Sequence, residues 1–412
     1  MPTLAAFCVD KGAEDLLLYA CKRGYKSMDI VRKLDIASVL SRKSVFLFGP
    51  RQCGKSWLVD HTVKDAHILD LLSADTFLRL SQHPEYIEQI ADDGKPIVID
   101  EIQKLPMLLD EVHRLIEKRG FRFLLTGSSA RKLRDKGVNL LGGRARVRRL
   151  HPFSAAELKG EFELDRAVNF GMLPSVWFSA EPDEDLADYI DEYLRQEIIA
   201  EGATRNLPAF SRFLEIAALS NGEQIDYAAI SRDAQVPRST VQEYFKILQE
   251  TLLADEVTVW KRGVKRKTVE TAKFYLFDSG VARRLARRGK VVEGTPEYGH
   301  LFETLVHHEL RSYLDVHVRD GVVNYWRTRA GNEVDFVVGT TAIEVKSGRT
   351  VSRGDLSGLR AIAEEGAFDH RIVVCREPRC RIEDGVEIVP YSDFIERLWS
   401  GALIDESTVA LS

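Results

Sequence analysis

"SVFLFGPRQCGKSWLVDH", Ser44 to His61, is the stretch from which the fold can be read outward. An apolar strand, Val45 to Phe48, runs directly into GPRQCGKS, the G-x-x-x-x-G-K-S pattern in a strand-to-helix setting. Gly49 and Gly54 let the backbone wrap close to a polyphosphate, with Pro50, Arg51, Gln52 and Cys53 forming the turn whose N–H groups point inward. Lys55 supplies positive charge to the terminal phosphates and Ser56 a hydroxyl to Mg2+. Trp57 lies in the first turn of the following helix, whose positive end adds to the cradle. These residues predict an ATP site. A glycine turn that matches by chance is the competing reading, and the flanking strand and helix weigh against it.

Downstream, "KPIVIDEIQKL" reads as a second buried strand, Ile97 to Ile99, ending in Asp100-Glu101. An acid at the C-terminal end of a parallel strand faces the nucleotide cleft of an open α/β sheet. Asp100 is therefore expected in the Mg2+ shell and Glu101 beside the attacking water. A pair of helix-capping acids is the plainer alternative. "FRFLLTGSSARKL" gives a third strand, Phe121 to Leu125, followed by Ser128, whose hydroxyl could sense the terminal phosphate. "LLGGRARVRRLHPFSAAEL" then places Arg144, Arg146, Arg148 and Arg149 within six residues. Arg144 follows two glycines and is the candidate for a guanidinium reaching a neighbouring subunit's γ-phosphate. A solvated basic edge accounts for most of the cluster otherwise.

GPRQCGKS, IDEIQKL, LLTGSSA, the GGR turn, RRLHPFSAAEL and GMLPSVW together resemble a prokaryotic branch of the AAA+ P-loop ATPases over roughly residues 40 to 180. The resemblance implies a parallel sheet carrying the two nucleotide-binding elements, ATP and Mg2+ as cofactors, and assembly into a homo-oligomer such as a hexameric ring. Many members place asparagine after the third strand, where this chain has serine.

The middle of the chain, "IDYAAISRDAQVPRSTVQEYFKILQETLLADEV", reads as a short helix over Ala228 to Asp233, a turn, and a second helix with Val241, Phe245 and Leu248 on one face. That is a helix-turn-helix arrangement. "EVTVWKRGVKRKTVETAKFYLFD" follows as a β-wing whose tip carries Lys261, Arg262, Lys265, Arg266 and Lys267, a charge cluster suited to DNA phosphates. The competing reading is a winged helix used only for packing.

In "NEVDFVVGTTAIEVKSG", Asn332 to Gly348, Glu344 and Lys346 alternate with Ile343 and Val345, while Asp335 alternates with Val334 and Phe336. Two acids and a lysine thus share one sheet face. Asp335 and Glu344 could bind Mg2+, a hard cation that takes oxygen ligands, and Lys346 could orient a water for phosphodiester hydrolysis. Glu303, on the helix "YGHLFETLVHHELRSYL", could complete the set. The spacing resembles the PD-(D/E)xK nucleases, and residues 185 to 400 resemble a domain of unassigned function often fused to this ATPase branch. A cross-strand ion pair on a solvated face is the alternative. His307 and His308 lack a third nitrogen or sulfur ligand and read as ordinary helix histidines.

The expected fold class is multidomain α/β: an N-terminal helical segment over 1–40, the AAA+ parallel sheet over 41–180, a helical winged-helix module over 181–272, and an α/β restriction-endonuclease-like domain over 273–412. A length of 412 residues exceeds one ordinary core. The formal net charge of -5 excludes DNA binding by overall charge and leaves only local basic patches. Five cysteines without a CxxC pair point to neither a disulfide framework nor a zinc knuckle. No apolar run approaches the roughly 18 residues that span a bilayer, so a cytoplasmic protein without membrane contact is expected. The functional expectation is an ATP-hydrolysing protein that binds and processes DNA, with Mg2+-dependent nuclease activity; the alternative is a nucleotide-controlled switch with a docking platform.

Overall fold

The computed structural model describes residues 30–91, 93–129, 131, 133, 141–194, 206–261, 268–317, 321–366 and 368–409. Most of the expected N-terminal helical segment, with Cys8 and Cys21, lies outside them. The described part begins irregular at Ile30 and becomes helical only over Ile36–Arg42.

Five strands build the first sheet: β1 (Ser44–Phe48), β2 (His67–Asp70), β3 (Ile97–Asp100), β4 (Phe123–Gly127) and β5 (Ala145–Arg149). Their order is β2-β3-β4-β1-β5, and all pairings are parallel. β1 is buried along its whole length because both sheet faces are covered. Its side chains alternate between two layers. Phe46 and Phe48 pack with Ile99, Leu125 and Val112, while Val45 and Leu47 pack with Val98, Leu124 and Leu58. Parallel pairing puts every C-terminal strand end on one edge, so the loops after β1, β3 and β4 face one cleft. The third strand begins at Phe123, two residues later than its apolar run suggests, because Phe121 and Arg122 precede the β3 register.

After a run of short helices between Ala155 and Leu194 come Leu207–Leu219, Tyr227–Ala234 and Arg238–Glu250, packed through Phe210, Phe213, Tyr244 and Phe245. The turn between the last two is Gln235 to Pro237, with Gln235 in the left-handed region at φ 56°. The second sheet has eight strands: β6 (Ala254–Val259), β7 (Lys273–Leu276), β8 (Asn324–Arg327), β9 (Glu333–Val338), β10 (Thr341–Val345), β11 (His370–Cys375), β12 (Arg381–Glu383) and β13 (Val386–Pro390), in the order β12-β13-β11-β10-β9-β8-β6-β7.

This sheet runs across the boundary expected at 272/273. β6 pairs antiparallel with β7 and parallel with β8, through Thr258–Asn324 and Val259–Tyr325. The hairpin is therefore held against the second sheet at the tip-ward end of its described part, where Val269 N–H also donates to the Arg327 carbonyl at 3.1 Å. Its expected tip residues Arg262, Lys265, Arg266 and Lys267 lie outside the described residues, and Lys261 is exposed.

One helix, Pro296–His317, organises the remainder. Its 22 residues extend about 33 Å. Its inward stripe of Phe302, Leu305, Val306, Leu310 and Leu314 is joined in burial by His307, His308, Glu309 and Ser312. A helix buried on so many faces has protein on both sides, and here those neighbours are the segment after β5 and the second sheet. No helix among the described residues is long and apolar enough to cross a membrane.

Candidate functional site

The phosphate loop is shaped by backbone constraints. A β-carbon on Gly49 would lie 2.3 Å from the Leu150 carbonyl oxygen, so only glycine fits there. Gly54 sits at φ 95° as the residue preceding the helix Lys55–Thr62, a conformation that glycine adopts at little cost. Lys55 is buried and its Nζ donates to the Gly49 carbonyl at 2.8 Å and the Pro50 carbonyl at 3.0 Å. Those same carbonyls frame the loop, so the ammonium is held at its mouth. Cys53 is fully buried, Ser56 is exposed at the first turn, and Trp57 stacks on His61 at 4.0 Å. Gln52 Oε1 accepts from the Ser175 hydroxyl at 2.6 Å, and Arg51 is half-buried.

The strand ends beside the loop carry a linked polar set. The Thr126 hydroxyl donates to Asp100 Oδ1, and Glu101 N–H donates to Thr126 Oγ1 at 3.3 Å. Glu101 takes φ 59°, which a non-glycine residue rarely adopts and which costs on the order of 1–3 kcal/mol. Gln103 Nε2 holds the Glu101 carboxylate and lies 3.4 Å from Ser128 Oγ. Asp100, Glu101, Thr126 and Ser128 thus lie in one hydrogen-bonded set, with Gln103 as a holder that the sequence did not single out. The donor set fits a nucleotide with Mg2+: a hydroxyl, a carboxylate and an ammonium around a loop of inward N–H groups.

Arg144 sits elsewhere. It precedes β5, beside the N-terminal end of β1, because Ala145 pairs with Ser44. The strand length separates it from its own phosphate loop, and its Nε donates to Glu117, exposed at the end of the helix Leu108–Arg119.

Two arginines absent from the sequence reading tie the nucleotide domain to the rest. Arg32 is buried and its Nη1 donates to the Cys53 carbonyl at 2.7 Å. Its Nη2 donates to the His151 carbonyl at 2.6 Å and its Nε to Glu157 Oε1 at 3.0 Å. Glu157 closes a capping box with Ser154. The helix Pro296–His317 grips this same segment. Ala155 N–H donates to Glu309 Oε1 at 2.7 Å, and His308 Nε2 contacts the Phe153 carbonyl at 2.8 Å. Burial pushes Glu309 up to about 7 despite donors from Ala155, Trp399 and Tyr391. Arg131, just beyond Ser129, lies 3.5 Å from both Glu243 and Glu250. That contact turns part of the helix Arg238–Glu250 toward the nucleotide domain.

The second cluster lies on β7, β9, β10 and the long helix. Asp335 Oδ2 accepts from Val345 N–H at 2.8 Å, and Lys346 Nζ donates to Glu344 Oε1 at 2.6 Å. Burial raises Asp335 well above the ordinary carboxylate range, with Glu303 and Glu344 adding to it, and raises Glu344 to about 7. Unlike a solvated cross-strand pair, these acids are buried, at 7% and 8% exposure. The decisive member is Lys273, buried on β7. Its Nζ lies 2.7 Å from Glu333 Oε1, 3.3 Å from Glu303 Oε1 and 3.7 Å from Asp335 Oδ1. The Tyr275 hydroxyl also donates to Glu303. The helix therefore does carry Glu303 to the acids, but with two donors already on it.

The expected Mg2+ set of Asp335, Glu344 and Glu303 thus lies around one cluster that already holds Lys273 and Lys346. Among the described residues no group of three or more His, Cys, Asp and Glu is placed to share a metal ion. Within the cluster, Glu344 Oε2 is a buried oxygen without a hydrogen-bond donor. His307 and His308 are held neutral by burial, down to about 4 and about 3, and His307 stacks on Tyr275 at 4.6 Å. The signal that could have revealed Lys273 is its place one residue before and one after apolar neighbours in "AKFYLF", on the same strand face as Tyr275.

Residues 41–159 match the family described as AAA domain. Residues 161–291 match a domain of unknown function, DUF8612, and residues 298–394 another, DUF4143. No curated protein matches the chain. Among solved structures the chain is similar to a Signal Transduction ATPase with Numerous Domains (STAND) protein with a tetratricopeptide repeat sensor from Pyrococcus horikoshii. Identity is 15% and the TM-score 0.25, over 71% of this chain and 48% of that one. The chain thus spans about half the length of that neighbour. The first sheet and its phosphate loop form a P-loop domain of AAA type.

Proposed function

We propose that the chain is a nucleotide-controlled ATPase switch whose C-terminal sheet is a platform moved by the nucleotide state. ATP would enter with its terminal phosphates at Lys55, which exchanges the Gly49 and Pro50 carbonyls for phosphate oxygens. Mg2+, held by Ser56 and Asp100, would neutralise charge on those oxygens. Thr126 keeps Asp100 oriented, Gln103 holds Glu101 where it can position the attacking water, and Ser128 reads the terminal phosphate through Gln103. Arg144 would serve a neighbouring subunit in a homo-oligomer, since it stands at the far end of its own sheet.

One observation carries the reading. From the Cys53 carbonyl, Arg32 reaches Glu157 and the His151 carbonyl, and the segment between them is bolted to Glu309 and His308 of the helix that presents Glu303 to the second sheet. A shift of the phosphate loop must strain or move this buried chain of contacts. Hydrogen exchange of residues 296–317 with ADP and with a non-hydrolysable ATP analogue tests it. Different protection in the two states is expected, and the difference should vanish in Arg32→Ala. Identical protection in both states would sink the switch.

A second reading, DNA processing with Mg2+-dependent cleavage, is favoured by the unpartnered Glu344 Oε2 beside Lys346. DNA would then be the partner of Lys261 and its basic neighbours. Nicking of branched and linear DNA by wild type and Asp335→Ala decides it, and no cleavage of any substrate ends it.

A further inference from the structure

Lys273 opens an otherwise apolar strand, and that placement needs a reason. An ammonium buried to 4% exposure loses most of its hydration and persists only where oxygens replace the lost water. Glu303, Glu333 and Asp335 supply those oxygens at 3.3, 2.7 and 3.7 Å, from the long helix and from β9. Each contributes from a different position, so they converge on one point.

Convergence of carboxylates on one point is ordinarily the signature of a divalent ion. Here the point holds a side chain of the chain itself. We propose that the Lys273 ammonium is the resident cation of this carboxylate cluster, fixed where a divalent ion would otherwise be held, so that the native pocket takes no metal. Further oxygens of the cluster are engaged in the same sense. Asp335 Oδ2 takes the Val345 N–H, Glu344 Oε1 takes Lys346, and Arg327 lies 2.9 Å from Glu333 Oε2. A divalent ion entering beside Lys273 would meet a like charge at close range in a buried setting, where Glu344 Oε2 is a buried oxygen without a donor. Removing the ammonium changes both conditions at once. Asp335 Oδ1 and Glu303 Oε1 lose their cation, and with Glu344 Oε2 they become a set of hard oxygen ligands.

The inference does not depend on the ATP switch. Lys55→Ala would disable the nucleotide site and leave this cluster untouched, so the two readings fail separately.

The test uses the full chain, stripped of metal and nucleotide, titrated with Mn2+ alone and followed by the free-ion electron paramagnetic signal. Wild type and Asp335→Asn are expected to bind Mn2+ equally weakly. Lys273→Met is expected to bind about tenfold tighter or more, to melt lower than wild type, and to regain part of that loss on adding Mn2+. The gain should disappear in Lys273→Met with Asp335→Asn. Wild-type binding that Asp335→Asn abolishes would overturn the proposal, and so would a folded Lys273→Met with no gain. Should Lys273→Met fail to fold, the wild-type and Asp335→Asn comparison decides by itself.

Discussion

Arg32 Nε lies 3.0 Å from Glu157 Oε1 with both side chains buried, although 125 positions separate them. The pair spans the gap between the phosphate loop and the segment that the C-terminal helix holds. Removing one partner of a buried ion pair strands the other charge, at about 3–5 kcal/mol. Arg32→Ala and Glu157→Ala should each lose that much in urea unfolding. The double variant should lose less than their sum, and additive losses would show that the pair is not coupled.

Lys55→Ala removes the ammonium from the loop mouth and should abolish ATP binding, measured by equilibrium titration. Glu101→Gln is expected to behave differently. It keeps the size and the Gln103 contact but not the charge, so turnover should fall on the order of 10² to 10⁴-fold with ATP affinity retained. Retained turnover in either variant would remove the nucleotide site from these residues.

Arg144 stands beside the N-terminal end of β1, too far along the sheet to serve its own phosphates. In a homo-oligomer, Arg144→Ala should lower turnover by roughly a thousandfold while ATP still binds. Mixing Arg144→Ala with Lys55→Ala chains should restore part of the activity, because each supplies what the other lacks. A mixture as inactive as its components would confine Arg144 to its contact with Glu117.

Glu309 sets a pH dependence. Its carboxyl is pushed from 4.5 up to about 7 by burial, so the folded state holds a proton that the unfolded state has released. Stability from this group is complete below pH 4.5 and is lost as pH rises toward 7, by on the order of 3 kcal/mol. Urea unfolding between pH 5 and 8 should show this slope in wild type and a flatter curve in Glu309→Gln. Parallel curves would reject it.

The chain itself determined whatever depends on near neighbours. The phosphate loop is eight consecutive residues between a strand and a helix, and its backbone geometry follows from two glycines and a lysine wherever it occurs. Asp100-Glu101 and the alternation of Asp335, Glu344 and Lys346 are equally local, because a strand presents every second residue to one face. The occupants of those faces were decided only by tertiary structure. Arg32 meets the loop carbonyl, Arg131 meets Glu243, and Glu309 meets Ala155 across 154 positions. Lys273 brings a cation to the acid set that the sequence did not place there. Seen in sequence, two acids and a lysine leave room for a metal. Folded, a second lysine from a strand at the far side of the sheet order reaches the same oxygens, since a buried charge must find counter-charge wherever packing has placed it.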